Sequence, residues 1–187
     1  MTMTTKKTTT TNRTPTTKSI TSKSTTTTTT KPKSVAVKKI ELTENSFVHE
    51  IFSAVSSERI GSKKIEILQR FNDNYIKSVL IWNFDPSITS DMPEGEVPIQ
   101  PKENPEVKPS SSIKKDWSKF YNFVKGGNDT MSKLRKETMF INILESLHPL
   151  EAEILVLVKD KKLQTKYNIT KEIVAQAYPD IIWGDRS

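Results

Sequence analysis

"IKKDWSKFYNFVKGG" runs from Ile113 to Gly127, and its periodicity decides the fold class. Ile113, Trp117, Phe120, Tyr121 and Val124 stand at i, i+4, i+7, i+8 and i+11. That spacing lines one face of an amphipathic α-helix. Gly126-Gly127 stops it, and Asn128 or Asp129 is suited to cap the helix that follows. On that next helix Leu134, Ile141, Leu144 and Leu147 are expected to share a face.

The same period continues outward on both sides. Upstream, Phe47, Val48, Ile51, Phe52 and Val55 mark a first helix that Gly61 breaks. Ile65, Leu68 and Phe71 mark a short second one. Asn72 or Asp73 opens a third, with Tyr75, Ile76, Val79 and Leu80 on its apolar face. Pro86 ends it, because proline disfavours helix in the residue before it. Downstream, Pro149 fits the first turn of "PLEAEILVLVKDKKL" (149–163). Thr170 is placed to cap "KEIVAQAY" (171–178), which Pro179 terminates. The run "ILVLV" (154–158) is strand-like alone but sits in helical context. The expectation is an all-α fold: a compact bundle of about six to seven short helices.

Two segments depart from this pattern. Residues 85–109 hold six prolines, and their six carboxylates outnumber Lys102 and Lys108. Twenty-five residues is long for a connection inside a compact domain. Ile88, Met92, Val97 and Ile99 favour a segment that wraps along the bundle over a free linker. Residues 1–39 are a Thr/Lys-rich tail, with 17 threonines in the first 30 residues and few large apolar side chains. Such a composition cannot offset the entropy of ordering, so disorder is expected. The organisation is therefore a tail (1–39) and one helical domain (40–187). Within that domain 45–84 and 110–187 are helical and 85–109 is acidic.

The net charge of +7 belongs to the tail. Residues 1–39 carry nine basic residues and no acid, whereas 40–187 carry 20 basic and 22 acidic residues. The helical part is thus no bulk electrostatic binder of nucleic acid. It does hold one basic stretch. Lys114, Lys115, Lys119, Lys125, Lys133, Arg135 and Lys136 stand against Asp116 and Asp129 alone. This stretch is suited either to nucleic-acid phosphate or to the acidic 85–109 segment of the same chain. The tail is either a solubilising leader or a basic arm for phosphate backbone.

Several function classes lose support. There is no cysteine, hence no disulfide or thiolate chemistry. His49 and His148 are the only histidines, and each reads as structural. No metal-ligand spacing, nucleophile elbow or Walker motif is present. The glycine pair follows a helix and precedes Asn-Asp, which reads as a helix–helix turn rather than a phosphate cradle. A helix-turn-helix assembled from 149–162 and 170–178 would have a long, glycine-free connector and little positive charge. Glu151 and Glu153 read as first-turn acids that suit the helix dipole. The expectation is a non-enzymatic protein with no cofactor, no metal and no small-molecule substrate. No apolar run reaches the ~18 residues of a membrane helix, and no membrane partner is expected. Ile181, Ile182 and Trp183 near the C-terminus either fold back over the core or form a docking peptide for a protein partner.

The stretches "KSVLIWNFDPSITSDMPEGEVP" (77–98), "FYNFVKGGNDTMSKLRKETMFINILESLHPLEAEILVLVKDKKL" (120–163) and "YNITKEIVAQAYPDIIWG" (167–184) resemble an uncharacterised domain family of T4-like tailed phages, including phages of marine bacteria. The resemblance covers roughly residues 45–187. It implies a phage protein acting in the cytoplasm of an infected bacterium and carries no catalytic or binding residue with it. Two functions remain open: an accessory protein that binds DNA or RNA through the tail and the 113–136 patch, or an adapter or minor virion component that binds a phage or host protein.

Overall fold

The computed structural model describes residues 41–99 and 108–184. The expected disorder of the tail 1–39 lies outside these residues. Among them the chain forms eight α-helices: α1 Val48–Ser57, α2 Gly61–Arg70, α3 Asn74–Phe84, α4 Ile113–Asp116, α5 Lys133–Ser146, α6 Pro149–Lys159, α7 Leu163–Tyr167 and α8 Lys171–Ala177. A 3₁₀ helix, Trp117–Phe123, follows α4. No strand is present among the described residues beyond one antiparallel bridge, Ser90 to Val124. The fold is all-α, with one or two more short helices than expected.

The stretch that indicates a helical protein is itself not the α-helix its spacing predicts. After Asp116 the chain tightens to 3.0 residues per turn. That period aligns Trp117, Phe120 and Phe123 rather than Trp117, Phe120, Tyr121 and Val124. Phe120 and Phe123 are buried, and Tyr121 faces solvent. The cause is an aromatic cluster. Phe123 packs edge-on against Phe140 at 5.0 Å, and Trp82 lies 5.8 Å from Phe120 and 6.3 Å from Phe123. An α-helical pitch would carry Phe123 off this face.

The inward face of α5 also differs from expectation. Lys136, Phe140, Ile143, Leu144 and Leu147 are buried, while Leu134 is 74% exposed. Leu144 and Leu147 share the inward face as predicted, Ile141 is half-buried, and Leu134 points out. The helix is capped by Ser132, whose side chain accepts from the Arg135 amide, not by Asn128 or Asp129.

α6 lies at the centre, packing against α1, α3, α5 and α7, while α2 packs against α1 and α8. Residues 85–99 wrap onto this bundle. Met92 is buried, and Ile88, Val97 and Ile99 pack on the core. The wrap is fixed by basic side chains. Lys159 Nζ donates to the carbonyls of Pro93 and Gly95 at 2.9 and 2.8 Å and pairs with Asp160. Lys161 Nζ donates to the Asp85 carbonyl.

One buried carboxylate holds three helices. Glu151, in the first turn of α6, accepts from the amide of Val48 through Oε1 and from that of Ile113 through Oε2, each at 3.1 Å. These amides open α1 and α4, where a helix has donors without intrahelical partners. Burial pushes the Glu151 carboxyl above its ordinary range, and the two amides only partly offset this.

Candidate nucleic-acid interface

The basic stretch is divided by the structure into exposed and engaged cations. Lys114, Lys115, Lys119, Lys125, Lys133 and Arg135 are exposed, whereas Lys136 is buried. Lys136 Nζ pairs with Asp91 at 2.7 Å, so it answers the acidic wrap and not a ligand. The Asp91 carboxyl is held below its usual range by that hydrogen bond first, and then by the charges of Lys136, Lys133 and Lys125. Lys119 pairs with the buried Asp116 at 2.6 Å. Lys114 reaches toward the Glu44 carbonyl and stands 5.7 Å from the Tyr75 ring centre. Lys114, Lys115, Lys125, Lys133 and Arg135 have no ion pair among the described residues.

Two local structures present this set. The first is the turn after the 3₁₀ helix. Gly126 adopts φ +78°, a left-handed conformation natural to glycine. A Cβ on Gly127 would stand 1.8 Å from the Tyr121 carbonyl oxygen, so the chain passes too close there for any side chain. The Asn122 and Asn128 side chains clasp the turn at 2.7 Å. Both glycines thus serve the turn. The second is the start of α5, whose first turn holds Lys133 and Arg135 and no acid. Cations at the positive end of a helix dipole are unfavourable by about 0.3–1 kcal/mol each. An anion brought there relieves that strain.

The C-terminal residues are placed differently from one another. Ile181 is buried, Ile182 is 76% exposed, and Trp183 is partly buried with Lys171 Nζ 5.0 Å above its ring. The Gly184 amide donates to the buried Asp85 carboxylate at 3.1 Å. This segment folds back onto the end of α3.

His49 and His148 are not isolated. Their rings stack at 4.5 Å and 6°, with Phe47 beside them. His148 Nδ1 accepts from the Leu150 amide, capping α6. Burial and then the neighbouring His148 hold His49 below its ordinary pKa, with Glu50 acting in the opposite direction. No group of three His, Cys, Asp or Glu side chains among the described residues is placed to hold a metal. No helix among them is long and apolar enough to cross a membrane.

Sequence reasoning missed Glu151 and Asp85 as structural anchors. Glu151 reaches Val48 and Ile113, 103 and 38 residues away, and Asp85 reaches Gly184, 99 residues away, so no local pattern announces these contacts.

Comparison with known families gives one match. The family model that fits residues 51–165 is described as a family of unknown function (DUF6433). No curated protein and no solved structure matches the chain.

Proposed function

The chain belongs to the DUF6433 family of unknown function, and from its own residues we propose that it is a non-enzymatic accessory protein of nucleic-acid metabolism. It engages phosphate through the basic tail and through the exposed cations between Lys114 and Arg135. We take the setting of this role, a tailed phage in the cytoplasm of the infected cell, from the family resemblance alone. The observation that carries the proposal is the set of five cations without an ion pair among the described residues, two of them on an acid-free helix start.

Salt dependence tests it. Each phosphate neutralised on duplex DNA contributes about −0.9 to the slope of log K against log salt. Replacing Lys125, Lys133 and Arg135 with alanine is expected to weaken binding across sequences and flatten that slope by up to about 3. A chain starting at Ile40 is expected to lose a further share. Unchanged slopes in both variants would refute the reading.

A second reading, an adapter or minor virion component, is favoured by Leu134 and Ile182, which are 74% and 76% exposed. Affinity capture with and without nuclease separates the two: partners that survive nuclease and high salt support the adapter.

A further inference from the structure

An open cleft of about 600 Å³ runs between α5 and the segment Ser111–Lys119. That volume falls in the roughly 300–1,000 Å³ range of small-ligand sites. Its α5 wall lies beside the core face of that helix and meets it at Ile143. Arg135, Met139 and Asn142 line it at i, i+4 and i+7, so the wall spans two turns, about 10 Å along the axis. The Arg135 guanidinium and the Asn142 carboxamide have no hydrogen-bond partner among the described residues, and both residues are exposed. Met139 and the buried Ile143 supply an apolar floor between the walls. Opposite, Asp116 accepts from Ser111 Oγ at 2.5 Å and from Lys119 at 2.6 Å. Its charge is thereby answered within the wall, and the uncompensated charge at the cleft is that of Arg135.

We infer that this cleft receives one unstacked nucleotide of single-stranded nucleic acid. Its phosphate sits at Arg135, its base lies on Met139 and Ile143, and its edge meets Asn142. The inference rests on the proposed nucleic-acid function and narrows it. A duplex has to unpair and unstack a base, at a cost in free energy, before a cleft can take it, whereas single strands offer their faces and edges. The unpaired carboxamide both donates and accepts, which suits the edge of any base.

The test uses the full chain with a fluorescent twelve-nucleotide single strand, as DNA and as RNA, and the corresponding duplexes. The single strand is expected to bind about ten-fold more tightly than the duplex, a factor that burying roughly 50 Å² of apolar surface against Met139 and Ile143 would supply. Asn142→Phe fills the cleft and is expected to weaken single-strand binding about ten-fold while leaving duplex binding within about two-fold. Asn142→Ala, which leaves the cleft open, changes binding in the same direction by less. Both variants are checked for an unchanged melting temperature. Equal affinity for single strand and duplex, or indifference to both Asn142 variants, overturns the cleft. If replacing Lys125, Lys133 and Arg135 still lowers binding to both forms, the broader proposal stands without it. Binding to neither form overturns both.

Discussion

Glu151 shows how much one side chain organises. Its replacement by alanine leaves the Val48 and Ile113 amides buried without acceptors, at about 1–3 kcal/mol each. A loss of about 2–5 kcal/mol is expected in denaturant titrations. Its pH dependence has a definite sign. The folded pKa is raised, so the folded state binds the proton more strongly than the unfolded chain. The stabilising contribution is fully present below the ordinary value of 4.5 and is lost as pH rises through the folded value. Subtracting the stability of Glu151→Gln from that of the native chain at each pH should expose this decline. His49 works in the opposite sense. Its folded pKa is depressed, so its contribution is present above 6.5 and is lost as pH falls through the folded value. His49→Phe keeps a ring against Phe47 and His148 but cannot titrate. Its stability between pH 5 and 8 is expected to be flatter than that of the native chain, and an equal slope would remove His49 as the cause.

At the level of elements, the 3₁₀ segment gives the sharpest test. Phe123→Ala removes a buried ring and should cost about 3–5 kcal/mol. Tyr121→Ala, on an exposed ring, should fall within about 0.5 kcal/mol. An α-helical register would reverse the order. In the adjoining turn, Gly126→Ala meets only conformational strain, about 1 kcal/mol. Gly127→Ala meets the Tyr121 carbonyl and should cost more, about 1–3 kcal/mol. Most helices were legible in the chain because their apolar positions recur at 3.6. The exceptions have physical causes. Trp117 and Phe120 fit a pitch of 3.0 as well as one of 3.6, and the two readings part only at Tyr121 and Phe123. On α5 the misleading residues are Leu134, which is exposed, and Lys136, which occupies a core position because Asp91 neutralises it. The basic stretch was legible as composition. Its division into exposed and engaged cations was not, since that depends on where the acidic wrap lies.

Across the whole molecule, the two ends of the helical part depend on each other. α8 packs on α2, and the Tyr178 hydroxyl shares its proton between the carbonyls of Leu68 and Phe71, at 2.7 and 2.8 Å. Ile181 and the Gly184–Asp85 contact extend this closure. Ending the chain at Asp180 is expected to cost about 2 kcal/mol from the lost burial of Ile181 and to lower the melting temperature by several degrees. An unchanged melting temperature would show that the segment contributes nothing to the fold. The Tyr178 clasp also sets an order of events during synthesis. Phe71 is synthesised 107 residues before its hydrogen-bond partner Tyr178. At about 5–20 residues per second, the face of α2 that α8 covers waits roughly 5–20 s for its partner. Closure of α2 therefore has to wait for α8, and a pause in synthesis before Lys171 would leave that face of α2 open.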